Sequence, residues 1–425
     1  MVNLLFIAIF VIIFGVLTWR RFEWGLFLLF LLLPTYLLRF YIGPLPSTIL
    51  EIMVIILLGV WFFKEKKYRT LFSKLQSFYK NNQLLSLGIF LFLLGATISI
   101  FTAINIRAAA GEWRAFYVEP ILIFFTLVFY FQNLEKNKRQ ESIEKYILFP
   151  LLLSGLVTSL LCIYQHFTGW LVPHAFWANR NTYRVTGWYG FPNAVGLFLA
   201  PIIPLALYVI QTQWKKNKTI VWMSIATIVT SIFALIFAKG SGPLIGVAAG
   251  IGILLLCYKK TRTPSLVLGV IGIIGIIFLP ASNPIKQEIF ATNYSGQLRR
   301  DIWTETIHLL KDRPLTGAGI ASYEERIVPY RGDHWIEVFH HPHNIFLTIW
   351  VNTGLAGLVG FLMILVWFFV SALKNTTHTK FILASMGVIL VMGLVDSPYI
   401  KNDLAILFWL LPALLFIKIK KDLLL

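Results

Sequence analysis

The stretch His340-His341-Pro342-His343-Asn344-Ile345-Phe346-Leu347-Thr348-Ile349-Trp350-Val351-Asn352-Thr353-Gly354-Leu355-Ala356-Gly357 ends the longest polar segment of the chain and opens a long apolar run. It sets three histidines at the edge of a sequence apolar and long enough to cross a bilayer as a helix. An ionisable cluster at such an edge faces protein or water and marks a candidate functional site.

Outward from that stretch, the same alternation recurs. Of 425 residues, 58% are hydrophobic and only 13% are charged, well under the roughly 25% of a soluble domain. Apolar runs of about 17 to 25 residues follow one another, each able to cross a hydrocarbon core of about 30 Å. The reading is an all-α polytopic integral membrane protein, a single membrane domain of about 12 to 13 transmembrane helices. One large extracytoplasmic loop, 282–343, is inserted between helices.

The net charge of +18 does not point to nucleic acid, because the basic residues sit in short loops at alternate ends of the apolar runs. That is the positive-inside pattern, and it reports topology. Lys64-Glu65-Lys66-Lys67-Tyr68-Arg69, with Lys74 and Lys80, anchors the cytoplasmic side. Spans are expected at about 2–19, 24–38, 48–63, 83–103, 115–131, 146–165 and 190–211, and further ones follow. The first of them lacks a small-residue cleavage pattern and is read as a retained span. Cys162 and Cys257 both lie in apolar runs, which leaves no disulfide framework or thiolate metal site legible. Gly246, Gly250 and Gly252, then Gly269, Gly272 and Gly275, recur at near-helical spacing and read as helix-packing faces.

The large loop carries five of the eight histidines and eight of the nineteen acidic residues. Seven basic residues nearly balance those acids, the composition of a small folded cap. Ile302, Trp303, Thr306, Leu309 and Leu310 share one face of a helix over about 297–311. Pro314 ends that helix, and Thr316-Gly317-Ala318-Gly319 makes the turn beyond it.

Three readings of His340, His341 and His343 stand side by side. They are polar residues at a water interface. Alternatively they hold a metal, with Asp333, His334 or Glu337 as a third ligand, although no recognised metal-ligand spacing accompanies them. In the third reading His343, fixed by Asn344 and the helix behind it, is a general base, histidine being the side chain that accepts a proton near neutral pH. His341 and Asn344 would border the same cavity; Asp396 and Lys401, at the last outer turn, either border it too or form an ordinary interface pair.

No Asp or Glu occurs between Glu144 and Glu288, yet Arg180, Arg184 and Lys239 fall at outer helix ends. Either they are solvated or snorkel to headgroups, or Arg184, Lys239 and Arg299 hold a diphosphate, which a guanidinium fork suits.

At these residues the chain resembles the O-antigen ligase family, which includes O-antigen polymerases and pilin-type O-oligosaccharyltransferases. His343-Asn344, with Gly354-Leu355-Ala356-Gly357 beginning ten residues after the Asn, is similar to that family's signature at the end of its large periplasmic loop. Arg299-Arg300-Asp301-Ile302-Trp303 leading to Arg313-Pro314-Leu315-Thr316-Gly317-Ala318-Gly319 resembles its Arg-x-x-Ile-Trp helix and Pro-Leu-x-Gly-x-Gly turn. Arg184-Val185-Thr186-Gly187 with Phe191-Pro192-Asn193 is a third point of likeness. Where many members have Ser-Arg-Gly, this chain has Ala238-Lys239-Gly240, which keeps the charge but not the fork.

The resemblance implies a membrane glycosyltransferase of the cytoplasmic membrane, with its active site on the extracytoplasmic face. It would move a glycan from a polyprenyl diphosphate carrier to an acceptor hydroxyl with inversion, without metal or other cofactor. His343 would activate the acceptor while Arg184, Arg299 and Lys239 neutralise the departing diphosphate. The acceptor stays open among lipid A core, growing polysaccharide, wall polymer and protein. A competing class, a transporter or flippase of lipid-linked saccharide, would place charged or broken helices near the bilayer midplane.

Overall fold

The computed structural model describes residues 4–43, 45–64, 68–179, 181–332 and 339–419. Among them, eight helices are long and apolar enough to cross a membrane, and four shorter apolar helices accompany them. The only strands among the described residues are a hairpin, Arg39–Ile42 against Leu45–Thr48. The architecture is thus that of an all-α polytopic membrane protein.

One compact unit comprises residues 1–82, 118–247 and 399–425. Its N-terminal part departs from the expected spans. The run over 24–38 gives a helix only at Phe22–Leu31, ten residues long, and a 3-10 turn at Leu33–Leu37 with Pro34 near its start. Proline lacks the amide that would continue the helix. The hairpin then delivers the chain to Ile49–Lys64, whose start is a capping box: Thr48 Oγ1 accepts the Glu51 N–H at 3.2 Å, and Glu51 Oε2 accepts the Thr48 N–H at 3.0 Å. Asn402 Nδ2 donates to the other Glu51 oxygen at 3.2 Å, so the helix Asn402–Ile419 is tied to that cap.

Asn402–Ile419 is buried along almost all of its length and packs on Glu119–Gln132. Phe78, Phe124, Phe129, Trp409 and Phe416 meet there edge to face or stacked, with centroids 5.1–6.5 Å apart. Beside this core, Phe149–Thr168 and Lys218–Phe237 pack together. Thr227 Oγ1 donates across to Leu152 O at 3.3 Å.

The second unit comprises residues 83–117 and 248–398. Gln83–Thr102 lies along Ile345–Lys374, and the two backbones all but touch. A Cβ on Gly95 would sit 2.5 Å from Gly357 N, which gives the Gly354-Leu355-Ala356-Gly357 signature a packing role.

Within Ile345–Lys374 the backbone breaks at Gly354, with φ 65° and ψ −172°, a conformation open essentially to glycine alone. In an unbroken helix the Leu355 N–H would bond to Val351 O. Here it donates to Leu315 O at 3.1 Å, and Val351 O instead accepts the N–H groups of Ala318 at 2.7 Å and Gly319 at 3.1 Å. The 313–319 turn is therefore stitched into the helix through the break.

The cap residues form their own core on this seam. Leu309, Leu310, Ala318, Tyr323 and Ile327 bury together against Val351. The helix preceding the cap behaves differently. Lys259–Phe278 has no buried residue, and a Cβ on Gly252, Gly269, Gly272 or Gly275 would meet nothing within 4 Å. These glycines do not pack helices together among the described residues, contrary to their spacing.

Candidate functional site

Each side chain at the polar-to-apolar junction is fixed by a contact that can be named. Asn344 caps Ile345–Lys374: its Oδ1 accepts the N–H groups of Phe346 and Leu347 at 3.0 and 3.1 Å, and its Nδ2 donates to Leu394 O at 3.1 Å. Asn344 is thus a structural clamp between this helix and the 394–398 turn. Thr348 and Ser397 add a 2.6 Å hydroxyl bond between the same two segments.

His343 sits immediately outside the cap with φ 49°, left-handed backbone that non-glycine residues seldom adopt. That conformation directs its ring to the 394–398 turn. His343 Nδ1 lies 3.3 Å from Asp396 Oδ1, with the two side chains only 20% and 11% exposed. His341 stacks edge-on to the His343 ring at 4.6 Å and Phe339 does so at 5.0 Å. Pro342, between the histidines, accepts the indole N–H of Trp303 at 2.9 Å. His340 points elsewhere, to Glu324 at 2.6 Å.

Asp396 is the residue of this group that the sequence least identified. Burial alone would raise its pKa, but the hydrogen bond and charge of His343, then the charge of His341 and the Ser397 N–H, hold the carboxyl well below the usual carboxylate range. An ionised carboxylate behind an imidazole fixes its tautomer: Nδ1 carries the proton toward Asp396, and Nε2 is left with a lone pair. That arrangement is able to take a proton from a hydroxyl.

Arg299 lies on Tyr294–Asp312, one helical turn before Trp303 and on the same face. It is half-buried and carries no ion pair to any described residue. Trp303, which holds Pro342, thereby brings the Arg299 face to the histidine segment.

Arg184 and Lys239 belong to the other unit, and the structure brings them together. Arg184 Nε donates to Ala238 O at 2.7 Å, and Nη2 donates to Lys239 O at 3.1 Å and to Asn193 Oδ1 at 3.2 Å. Its guanidinium also lies over the Trp177 ring at 5.3 Å. The fork holds the turn of Ala238-Lys239-Gly240, where Lys239 itself is left-handed, with φ 50°, and exposed. Two residues singled out as anion ligands are therefore a clamp and the cation it presents.

Lys401 lies 5.9 Å above the Tyr189 ring in that same unit. Gln165, which sequence reasoning missed, is fully buried, and its amide satisfies Thr186 N–H, Gly187 N–H, Leu171 O and Gly187 O at 2.8–3.0 Å. It pins the loop that carries Arg184. Arg180, Asp333, His334 and Glu337 lie outside the described residues.

The helices and the imidazole–carboxylate pair define a class, a multi-pass membrane protein with a candidate proton-transfer site at a helix end. Comparison with known proteins names the kinship. Residues 226–362, a segment that holds Lys239, Arg299 and His343, match the family described as O-antigen ligase.

A protein of Haemophilus influenzae, described only as uncharacterized, is 22% identical over 298 residues, covering 64% of this chain and 70% of its own. Proteins of Rickettsia conorii and Rickettsia felis, both carrying the name "Putative polysaccharide ligase", are 28% identical over 103 residues and 29% identical over 107 residues. Those matches cover 23% and 24% of this chain and about a quarter of each Rickettsia protein. Together they support a membrane ligase of glycans in general terms.

Proposed function

We propose that the protein is a glycosyltransferase of the cytoplasmic membrane that moves a glycan from a polyprenyl diphosphate carrier to an acceptor hydroxyl on the extracytoplasmic side. The observation that carries this reading is His343 backed by the buried Asp396 at 3.3 Å.

In the proposed step His343 Nε2 takes the proton of the acceptor hydroxyl as its oxygen attacks the anomeric carbon. The bond from that carbon to the carrier phosphate breaks on the opposite face, so the configuration inverts, and the diphosphate leaves with the electron pair. Asp396 stabilises the imidazolium that forms. Arg299, half-buried on the face that Trp303 brings to the histidine segment, offers a guanidinium to the developing negative charge. Cationic donors of this kind contribute a few kcal/mol each in a dry site, standing where other transferases place a divalent ion.

Purified protein incubated in EDTA with polyprenyl diphosphate glycan and candidate acceptors tests the reading by release of the carrier. Wild type is expected to release carrier only when an acceptor is present. His343→Ala is expected to lower the rate by about 10²–10⁴-fold, the usual contribution of a general base. Transport of intact lipid-linked glycan across a vesicle without bond cleavage, or near-normal transfer by His343→Ala, defeats the proposal.

A further inference from the structure

We propose that His341, His343 and Asp396 form a binding site for a zinc-type divalent ion, and that an ion seated there shuts the transferase down. Binding is argued from geometry alone. The shutdown rests on the reading of His343 as a base.

One imidazole or carboxylate atom from each of the three residues lies within 4.8 Å of the others. The His343–Asp396 separation is 3.3 Å. It matches the edge of a zinc tetrahedron, about 3.3 Å when ligands stand about 2.0–2.1 Å from the ion. The two histidine rings stand 4.6 Å apart at 68°, and His341 Nδ1 accepts the His343 N–H at 3.4 Å, which holds the third ligand beside the pair. Two imidazoles and one carboxylate leave a fourth position open, the three-ligand composition of many protein zinc sites. Imidazole and carboxylate donors favour this class of ion over magnesium or calcium, which prefer all-oxygen shells.

The surroundings are those of a built site. The Ser397 N–H holds Asp396 Oδ1 at 2.8 Å, Trp303 fixes the backbone between the histidines, and Phe339 walls one side of the His343 ring. Supporting contacts of this kind orient ligands and raise affinity. The site also gives a use to the three histidines. His340 is engaged by Glu324, whereas His341 is directed to the pair that does the proposed chemistry.

Occupancy and catalysis exclude each other. Coordination through His343 Nδ1 sends the ring proton to Nε2, and coordination through Nε2 uses the lone pair directly. Either way no lone pair remains to take the acceptor proton. The ion is an inhibitor, so chelation preserves activity rather than destroying it.

The test uses full-length protein, stripped with chelator and exchanged into buffer. Titrated with Co²⁺, wild type is expected to show the visible bands of tetrahedral cobalt saturating at one equivalent, which Zn²⁺ then bleaches. His341→Asn and Asp396→Asn, each checked for monodisperse elution, are expected to weaken that binding at least tenfold. In the carrier-release assay Zn²⁺ is expected to inhibit wild type, EDTA to restore it, and His341→Asn to raise the half-inhibiting concentration at least tenfold. Absence of tetrahedral bands, or bands unchanged in both variants, overturns the site. Zinc that binds there without slowing transfer overturns the shutdown. If no preparation transfers glycan, the functional reading fails while the cobalt spectrum still decides the site.

Discussion

Substituting Gly354 by alanine tests whether the break in Ile345–Lys374 holds the cap. A Cβ built at this position falls 2.0 Å from Leu315 O and 2.9 Å from Leu315 C, both backbone atoms. No rotamer relieves such a clash, so the 313–319 turn has to move. Its retreat loses the Leu355 N–H bond to Leu315 O and loosens the two amide bonds to Val351 O, at about 1 kcal/mol each. The strained backbone adds about 1–3 kcal/mol for any residue with a Cβ, which brings the total to about 4–6 kcal/mol. Gly272→Ala is the matched control: it lies in a helix with nothing within 4 Å of its Cβ, and alanine there stabilises by about 0.5–1 kcal/mol through lost chain freedom. Thermal melting followed by size-exclusion elution in detergent is expected to rank Gly354→Ala far below wild type and Gly272→Ala level with it or above. Equal melting of the two variants would refute the seam.

Further outcomes follow from the same contacts. Asp396→Asn keeps the size of the side chain but no longer fixes the His343 tautomer, and is expected to lower transfer by about 10²-fold or more; full transfer by this variant would remove Asp396 from the mechanism. The Asp396 carboxyl is held below its ordinary value, so its contribution to stability is fully present above about pH 4 and fades as pH falls through the lowered folded-state pKa. The melting advantage of wild type over Asp396→Asn should therefore be present at neutral pH and be lost in strong acid as the carboxyl protonates; an advantage that persists undiminished there contradicts the assigned direction. Arg184→Lys keeps the charge but loses the fork that holds the Ala238 and Lys239 carbonyls, and is expected to lower the melting temperature, whereas Lys239→Ala, at an exposed position, is expected to leave it unchanged. Gln165→Ala leaves two buried amides and two carbonyls without their partner and should cost about 2–4 kcal/mol, read as a lower melting temperature.

The sequence by itself determined the class of structure. Apolar length is a local property, so helices such as Gln83–Thr102 and Lys218–Phe237 were legible without any knowledge of their neighbours. The amphipathic cap helix and the junction at His343 and Asn344 were legible for the same reason, since periodicity and capping act within a few residues. Pro34 carried the signal that shortened the second apolar run, and hydropathy outweighed it.

Only the tertiary structure decided what each polar group does. Asp396 stands 53 residues from His343, and no spacing rule links a turn after one helix to the residue before another. Arg184 read as an anion ligand because its acceptors, the carbonyls of Ala238 and Lys239, belong to a backbone that looks the same in every sequence. The stripe at Gly269, Gly272 and Gly275 read as a packing face because small residues permit close approach, but permission does not supply a neighbour. Local pattern sets which segments are helical and where charge is tolerated; hydrogen bonds between distant segments exist only once those helices have packed.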